Sequence, residues 1–124
     1  MKKIEEEMIT AIKEARPYKK DNTEVTYDLG NNQVVIHLHG NLIAYVDNDV
    51  FNLYLSDAEY RTKTTKSRLN AILSFYDLGK IYIKNYQWYL KTEDEDEEWT
   101  GSKEFDLETE YKGLVTIVKS WVSK

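Results

Sequence analysis

The residues from Tyr60 to Leu73, YRTKTTKSRLNAIL, concentrate side chains able to hold an anion. Between Arg61 and Arg68 stand two arginines, two lysines, three threonines and a serine, in a chain whose net charge is −5. Leu69, Ile72, Leu73 and Tyr76 then recur at helical spacing, so a helix is predicted to begin near Thr64 or Thr65, either of which can cap it. A helix start adds backbone N–H donors and the positive end of the macrodipole. Lys63, Lys66 and Arg68 would supply charge, and Thr62, Thr64 and Thr65 hydroxyls. An arginine can grip a phosphate with two parallel hydrogen bonds. The same residues also describe a capped helix start with solvated lysines and Arg68 paired to a nearby carboxylate. No glycine-rich loop accompanies them, so the segment is not a Walker-type phosphate site.

A second group could complete a nucleotide pocket. Tyr82, Tyr86, Trp88 and Tyr89 lie in a strand-like run, and stacking of a base on such a ring contributes about 1–3 kcal/mol. Tyr86 or Trp88 would stack the base, and Asn41 or Asn70 would read a polar edge. Packing is the other use of aromatics on strands. His37 and His39 are expected on one face of one strand, where a metal would need a carboxylate to complete its shell. A hydrogen-bonded histidine pair beside a turn fits the same spacing. A histidine base would need an adjacent nucleophile or a positioned substrate, and none is visible. The expectation is a protein that binds and does not catalyse, with no cofactor and no metal. Glu93 to Glu98 is a run of six carboxylic acids. Such a block repels itself and is expected as an exposed loop, or as a surface for a basic protein partner. It lacks the spaced ligands and glycine of a calcium loop.

The elements that must position these residues predict one α+β domain over residues 1–124: an antiparallel sheet packed by a central helix, with further N- and C-terminal helices. Ile4, Met8, Ala11, Ile12 and Ala15 mark a helix over 1–16, ending before Pro17. Residues 24–90 form the core. Within it, alternation predicts a four-stranded meander: Glu24–Leu29, Gln33–His39, Leu42–Val46 and Val50–Leu55. After a helix stop at Gly79, Lys80–Leu90 reads as a hairpin turning at Lys84–Asn85. An acidic loop spans 91–101. A C-terminal helix over 107–123 follows from Tyr111, Leu114, Val115, Val118, Trp121 and Val122.

Composition narrows the function classes. With a pI of about 5.1, a broad nucleic-acid-binding surface is not expected. The chain has no cysteine, which excludes disulfides, thiolate catalysis and cysteine-based zinc sites. No apolar run reaches the roughly 18 residues that a membrane span needs. The start, Met1-Lys2-Lys3-Ile4-Glu5-Glu6-Glu7, turns acidic where a signal peptide would be apolar, so a cytoplasmic protein is expected.

Three segments carry a resemblance. Leu38-His39-Gly40-Asn41-Leu42-Ile43-Ala44, Thr62 to Leu73, and Tyr82-Ile83-Lys84-Asn85-Tyr86-Gln87-Trp88-Tyr89-Leu90 resemble a group of small phage and prophage proteins. That group combines a His-Gly-Asn strand, a Thr-Thr-Lys-x-Arg-Leu-Asn helix start and a Lys-Asn-x-x-Trp-aromatic strand. Tyr60 stands where the group often has Trp, and Ile83 where it often has Gln. The resemblance covers about residues 24–90. In size and outline the chain is also similar to the first type of Thoeris anti-defence protein, an oligomeric sponge for a cyclic ADP-ribose signal. The resemblance implies an anti-defence protein of the bacterial host cytoplasm, a homo-oligomer that sequesters a nucleotide-type signal without cleaving it. The alternative is an acidic inhibitor of a host defence nuclease, acting through Glu93–Glu98.

Overall fold

The computed structural model describes residues 1–110, and they form an α+β fold of two principal helices and two antiparallel sheets. Helix α1 (Lys3–Glu14) buries Met8, Ala11 and Ile12 along one stripe. Ala15 ends it in the left-handed region at φ 52. Its N–H and that of Arg16 donate to Ile12 and Ala11 carbonyls at 3.2 and 3.0 Å. Pro17 cannot continue the ladder.

Five strands follow: β1 (Tyr18–Lys20), β2 (Thr23–Asp28), β3 (Gln33–Leu38), β4 (Asn41–Asp47) and β5 (Asn52–Ser56). Next come α2 (Lys63–Phe75), β6 (Lys80–Lys84), β7 (Gln87–Lys91), β8 (Asp96–Glu98), β9 (Ser102–Asp106) and a short α3 (Leu107–Glu110). The six-stranded sheet runs β1-β2-β3-β4-β5-β9, and the smaller sheet runs β6-β7-β8. The expected meander is β2 to β5. Two strands that sequence patterning misses widen it: β1 is three residues with two lysines, and β9 has one apolar side chain, Phe105. The helix expected over 107–123 is described only at Leu107–Glu110, the single turn α3; its stripe from Tyr111 to Val122 lies outside the described residues.

One face of the large sheet carries the core. Val25, Val34, Ile36, Leu53, Leu55 and Phe105 are buried there, on the side of α1 and α2. A bulge at Ile36/His37 lets both Ile43 and Ala44 point inward. β1 is fastened to α1 by Tyr18, whose hydroxyl donates to Glu7 at 2.8 Å. Burial and this bond push the Tyr18 phenol up to about 12. The same bond holds the Glu7 carboxyl below its usual range.

Three sequence expectations are corrected. His39 is not on the strand with His37. β3 ends at Leu38, and His39 and Gly40, at φ 52 and 78, make a two-residue hairpin turn. The second hairpin turns one residue later than expected, at Asn85 and Tyr86 with φ 53 and 64. The acidic run is not wholly a loop, because Asp96–Glu98 pairs with β7 as an edge strand. Alternation separates its charges, and each finds a donor: the Tyr82 hydroxyl reaches Asp96 at 2.6 Å, Lys103 reaches Glu97 at 3.1 Å, and the Gln87 amide reaches Glu98.

Candidate functional site

The site is built on the turn between β5 and α2. Asp57 anchors it, 4% exposed. Its Oδ1 accepts the Glu59 N–H at 2.8 Å, and its Oδ2 accepts Trp99 Nε1 at 2.9 Å and Arg61 Nε at 3.1 Å. Arg61 also donates to the Trp99 carbonyl at 3.1 Å and lies 5.9 Å from the centre of the Trp88 ring. This web holds Ala58 and Glu59 at φ 53 and 67, a conformation non-glycine residues adopt at a cost. It also fixes where α2 begins. Thr62, not Thr64 or Thr65, is the cap: its Oγ1 accepts the Thr65 N–H at 3.1 Å. The Lys66 N–H goes to the Thr62 carbonyl at 3.0 Å. The N–H groups of Lys63 and Thr64 remain as donors at the helix start.

A cavity of about 410 Å³ opens beside this helix start. Leu38, Ile43 and Ala58 give it an apolar lining, and His39, Asn41, Asp57, Tyr60, Thr62, Thr64 and Thr65 give it polar groups. Tyr60 is 58% exposed. His39, in the turn, lies at the cavity's edge, and its imidazole Nε2 is 3.4 Å from the Asn22 amide nitrogen on the side of β2. Asn41 leans back on the His39 carbonyl at 3.4 Å. An apolar lining with a few converging polar groups is the usual form of a small-molecule site, and this volume lies in the usual range.

Four of the sequence-predicted binding residues, Asn41, Thr62, Thr64 and Thr65, meet in this cavity. Lys63, Lys66 and Asn70 instead line an open groove of about 640 Å³ with Met1, Lys2 and Glu5. Arg68 is buried, and its alternative sequence reading holds: it ion-pairs with Glu5 at 2.8 Å and donates to Thr23 at 3.1 Å. Ser67 donates to the same Glu5 carboxylate at 2.5 Å. The Asn70 amide is committed to Ile81, donating to its carbonyl at 2.9 Å and accepting its N–H at 2.7 Å. Trp88 is buried, while Tyr86 is fully exposed at the tip of the second hairpin. The basic segment meets the aromatic strand through Arg61, which reaches Trp88, and not through its lysines; neither Tyr86 nor Trp88 lines the cavity or the groove. Sequence reading missed Asp57 and Tyr60. Tyr60 adjoins the basic segment and was legible as its first ring; Asp57 gains its meaning only from Trp99, 42 residues on. Among the described residues, no three His, Asp or Glu side chains gather to hold a metal.

A family profile described as Kyanoviridae Gp96 protein matches residues 1–111. The chain belongs to that family. It is thus a phage protein, as the three segments imply, and the family match takes in α1 and the acidic run Glu93–Glu98, which the segments do not. No curated protein and no solved structure matches this Gp96 family member. No helix among its described residues is long and apolar enough to cross a membrane.

Proposed function

We propose that this Gp96 family member binds a small nucleotide-type ligand in the cavity beside α2 and holds it unchanged, withdrawing an immune signal of the host. The observation that carries this is the cavity itself, where an apolar lining, an exposed aromatic ring and a free helix start lie together. In this arrangement the Lys63 and Thr64 N–H groups and the Thr64 hydroxyl take a phosphate. Tyr60 stacks on the base, and Asn41 reads its polar edge. Lys63 and Lys66 add positive potential from the neighbouring groove. Arg68, Asn70 and Trp88 take no part, because their polar groups or faces are committed to the fold. Phage origin suits a protein that withdraws a host signal, and a sponge needs no catalytic group.

The test is retention. The protein is incubated with a panel of cyclic and linear nucleotides, separated from free ligand and heat-denatured, and the released material is weighed by mass spectrometry. Wild type is expected to release an unchanged nucleotide, and Thr64→Glu none. A carboxylate in the first turn of a helix favours the helix, so the variant keeps its fold while repelling phosphate. Release of a chemically altered nucleotide would overturn the sponge and point to His39 as a base. Equal retention by Thr64→Glu would remove the ligand from this cavity.

A further inference from the structure

We infer that the face of the six-stranded sheet turned away from α1 and α2 is a docking surface for a cationic protein. The register places Thr26, Val35, Tyr45, Tyr54 and Glu104 in one row across β2, β3, β4, β5 and β9. At its centre the Tyr45 and Tyr54 rings stack at 5.1 Å and 23°. No described element covers them. Tyrosine at the centre of an open face, framed by polar groups, is the composition of a protein-binding patch.

Charge selects the occupant. The adjacent row carries Asp28, Asp47 and Asp106, and Glu24 lies beyond the central row on β2. Lys19, on the edge strand, is the one lysine or arginine of this face among the described residues. Hydrogen bonds from the Asn31 side chain and backbone hold the Asp28 carboxyl below its usual range. Burial alone would raise Asp47, but the Asp49 and Val50 N–H groups and the Gln33 amide outweigh it. Asp28 and Asp47 are therefore charged at neutral pH. A second copy of the chain would set like charges face to face, and a nucleic acid would meet the same repulsion. A lysine- and arginine-bearing protein surface complements both the charge and the rings, since guanidinium groups stack on tyrosine. Own-chain donors do not separate this face from the run Glu93–Glu98, since Asp28, Asp47 and Asp106 hold them as Asp96, Glu97 and Glu98 do; the stacked Tyr45 and Tyr54 rings at the centre of the face do.

The probe is a nona-arginine peptide, titrated at low salt into the isotope-labelled full chain and followed by amide NMR shifts. Shifts should centre on Val35, Tyr45, Tyr54 and Glu104 and weaken with added salt. Glu24→Lys with Glu104→Lys should lower the affinity at least tenfold, while Glu93→Lys with Glu95→Lys should leave it within twofold. Shifts centred on residues 93–98, shifts scattered over the chain, or no binding would each overturn the proposal. Concentration-dependent dimerisation through the same amides in sedimentation and NMR would overturn it in favour of a second copy.

Discussion

Arg68 shows how a single residue changes meaning once its partner is known. In the sequence it belongs to a cationic cluster; in the fold it neutralises Glu5, 63 residues away, with both side chains about 5% exposed. Nothing in the spacing of one chain announces such a pairing, because chain separation does not report distance. Removing one partner of a buried pair leaves the other charge uncompensated, at about 3–5 kcal/mol. Arg68→Ala is therefore expected to lower unfolding stability by that amount in urea titration. Arg68→Met combined with Glu5→Leu should recover most of it, since no buried charge remains. A double variant as unstable as Arg68→Ala would show that the pair is not the cause. Asn70 makes the same point with an uncharged group. Its amide occupies the edge of β6 as a neighbouring strand would, bonding both backbone groups of Ile81. Asn70→Ala leaves those groups without a protein partner, which costs about 1–3 kcal/mol. The Ile81 amide should then exchange with solvent far faster than in wild type. Unchanged exchange would mean that another group protects it.

At the scale of elements, local patterning was legible where a strand alternates or a turn has glycine. β2 to β5 and the two long helices follow from period and punctuation. β8 and β9 do not, because their side chains are mostly charged and they form by adding to edges that β7 and β5 already offer. Gly79 marks one junction as firmly as any apolar residue. At φ +151, a Cβ there would lie 2.2 Å from the Lys91 carbonyl oxygen. Gly79→Ala must therefore displace either the end of α2 or β7, and its thermal midpoint should fall well below that of the exposed Gly30→Ala. Equal midpoints would refute the contact. The hairpin turns carry a pH signature. Asp28 and Asp47 have folded pKa values below the ordinary 3.8 because turn N–H and amide groups bond their ionised forms. For a depressed carboxyl the contribution is complete above the unfolded value and is lost as pH falls through the folded one. Stability should be level above about pH 5 and decline below about pH 4. Asp28→Asn with Asp47→Asn should flatten that decline in urea midpoints measured against pH. An unchanged slope would assign acid sensitivity to other carboxylates.

The molecule as a whole keeps two surfaces apart with one sheet. The cavity opens among groups at the ends of β3 and β4 and the start of α2, on the side where the core lies. The tyrosine row faces the other way. This arrangement could not be read from the sequence, where Asn41, Tyr45 and Tyr54 stand close together and Asp57 and Trp99 stand far apart. It follows from the bulge in β4, which puts Asn41 and Tyr45 on opposite faces although an even number of residues separates them, and from the Asp57–Trp99 bond, which ties the two sheets at the cavity. Substitutions on the two surfaces share no contact. Effects of such distant sites add to within about 0.3–0.5 kcal/mol. Thr64→Glu is expected to end nucleotide retention while leaving the nona-arginine shift map intact, and Glu104→Lys to weaken the peptide while leaving retention intact. The double variant should show each loss at its single-variant size. If Glu104→Lys altered retention, or the double variant departed from the sum, the sheet would be transmitting between the two faces.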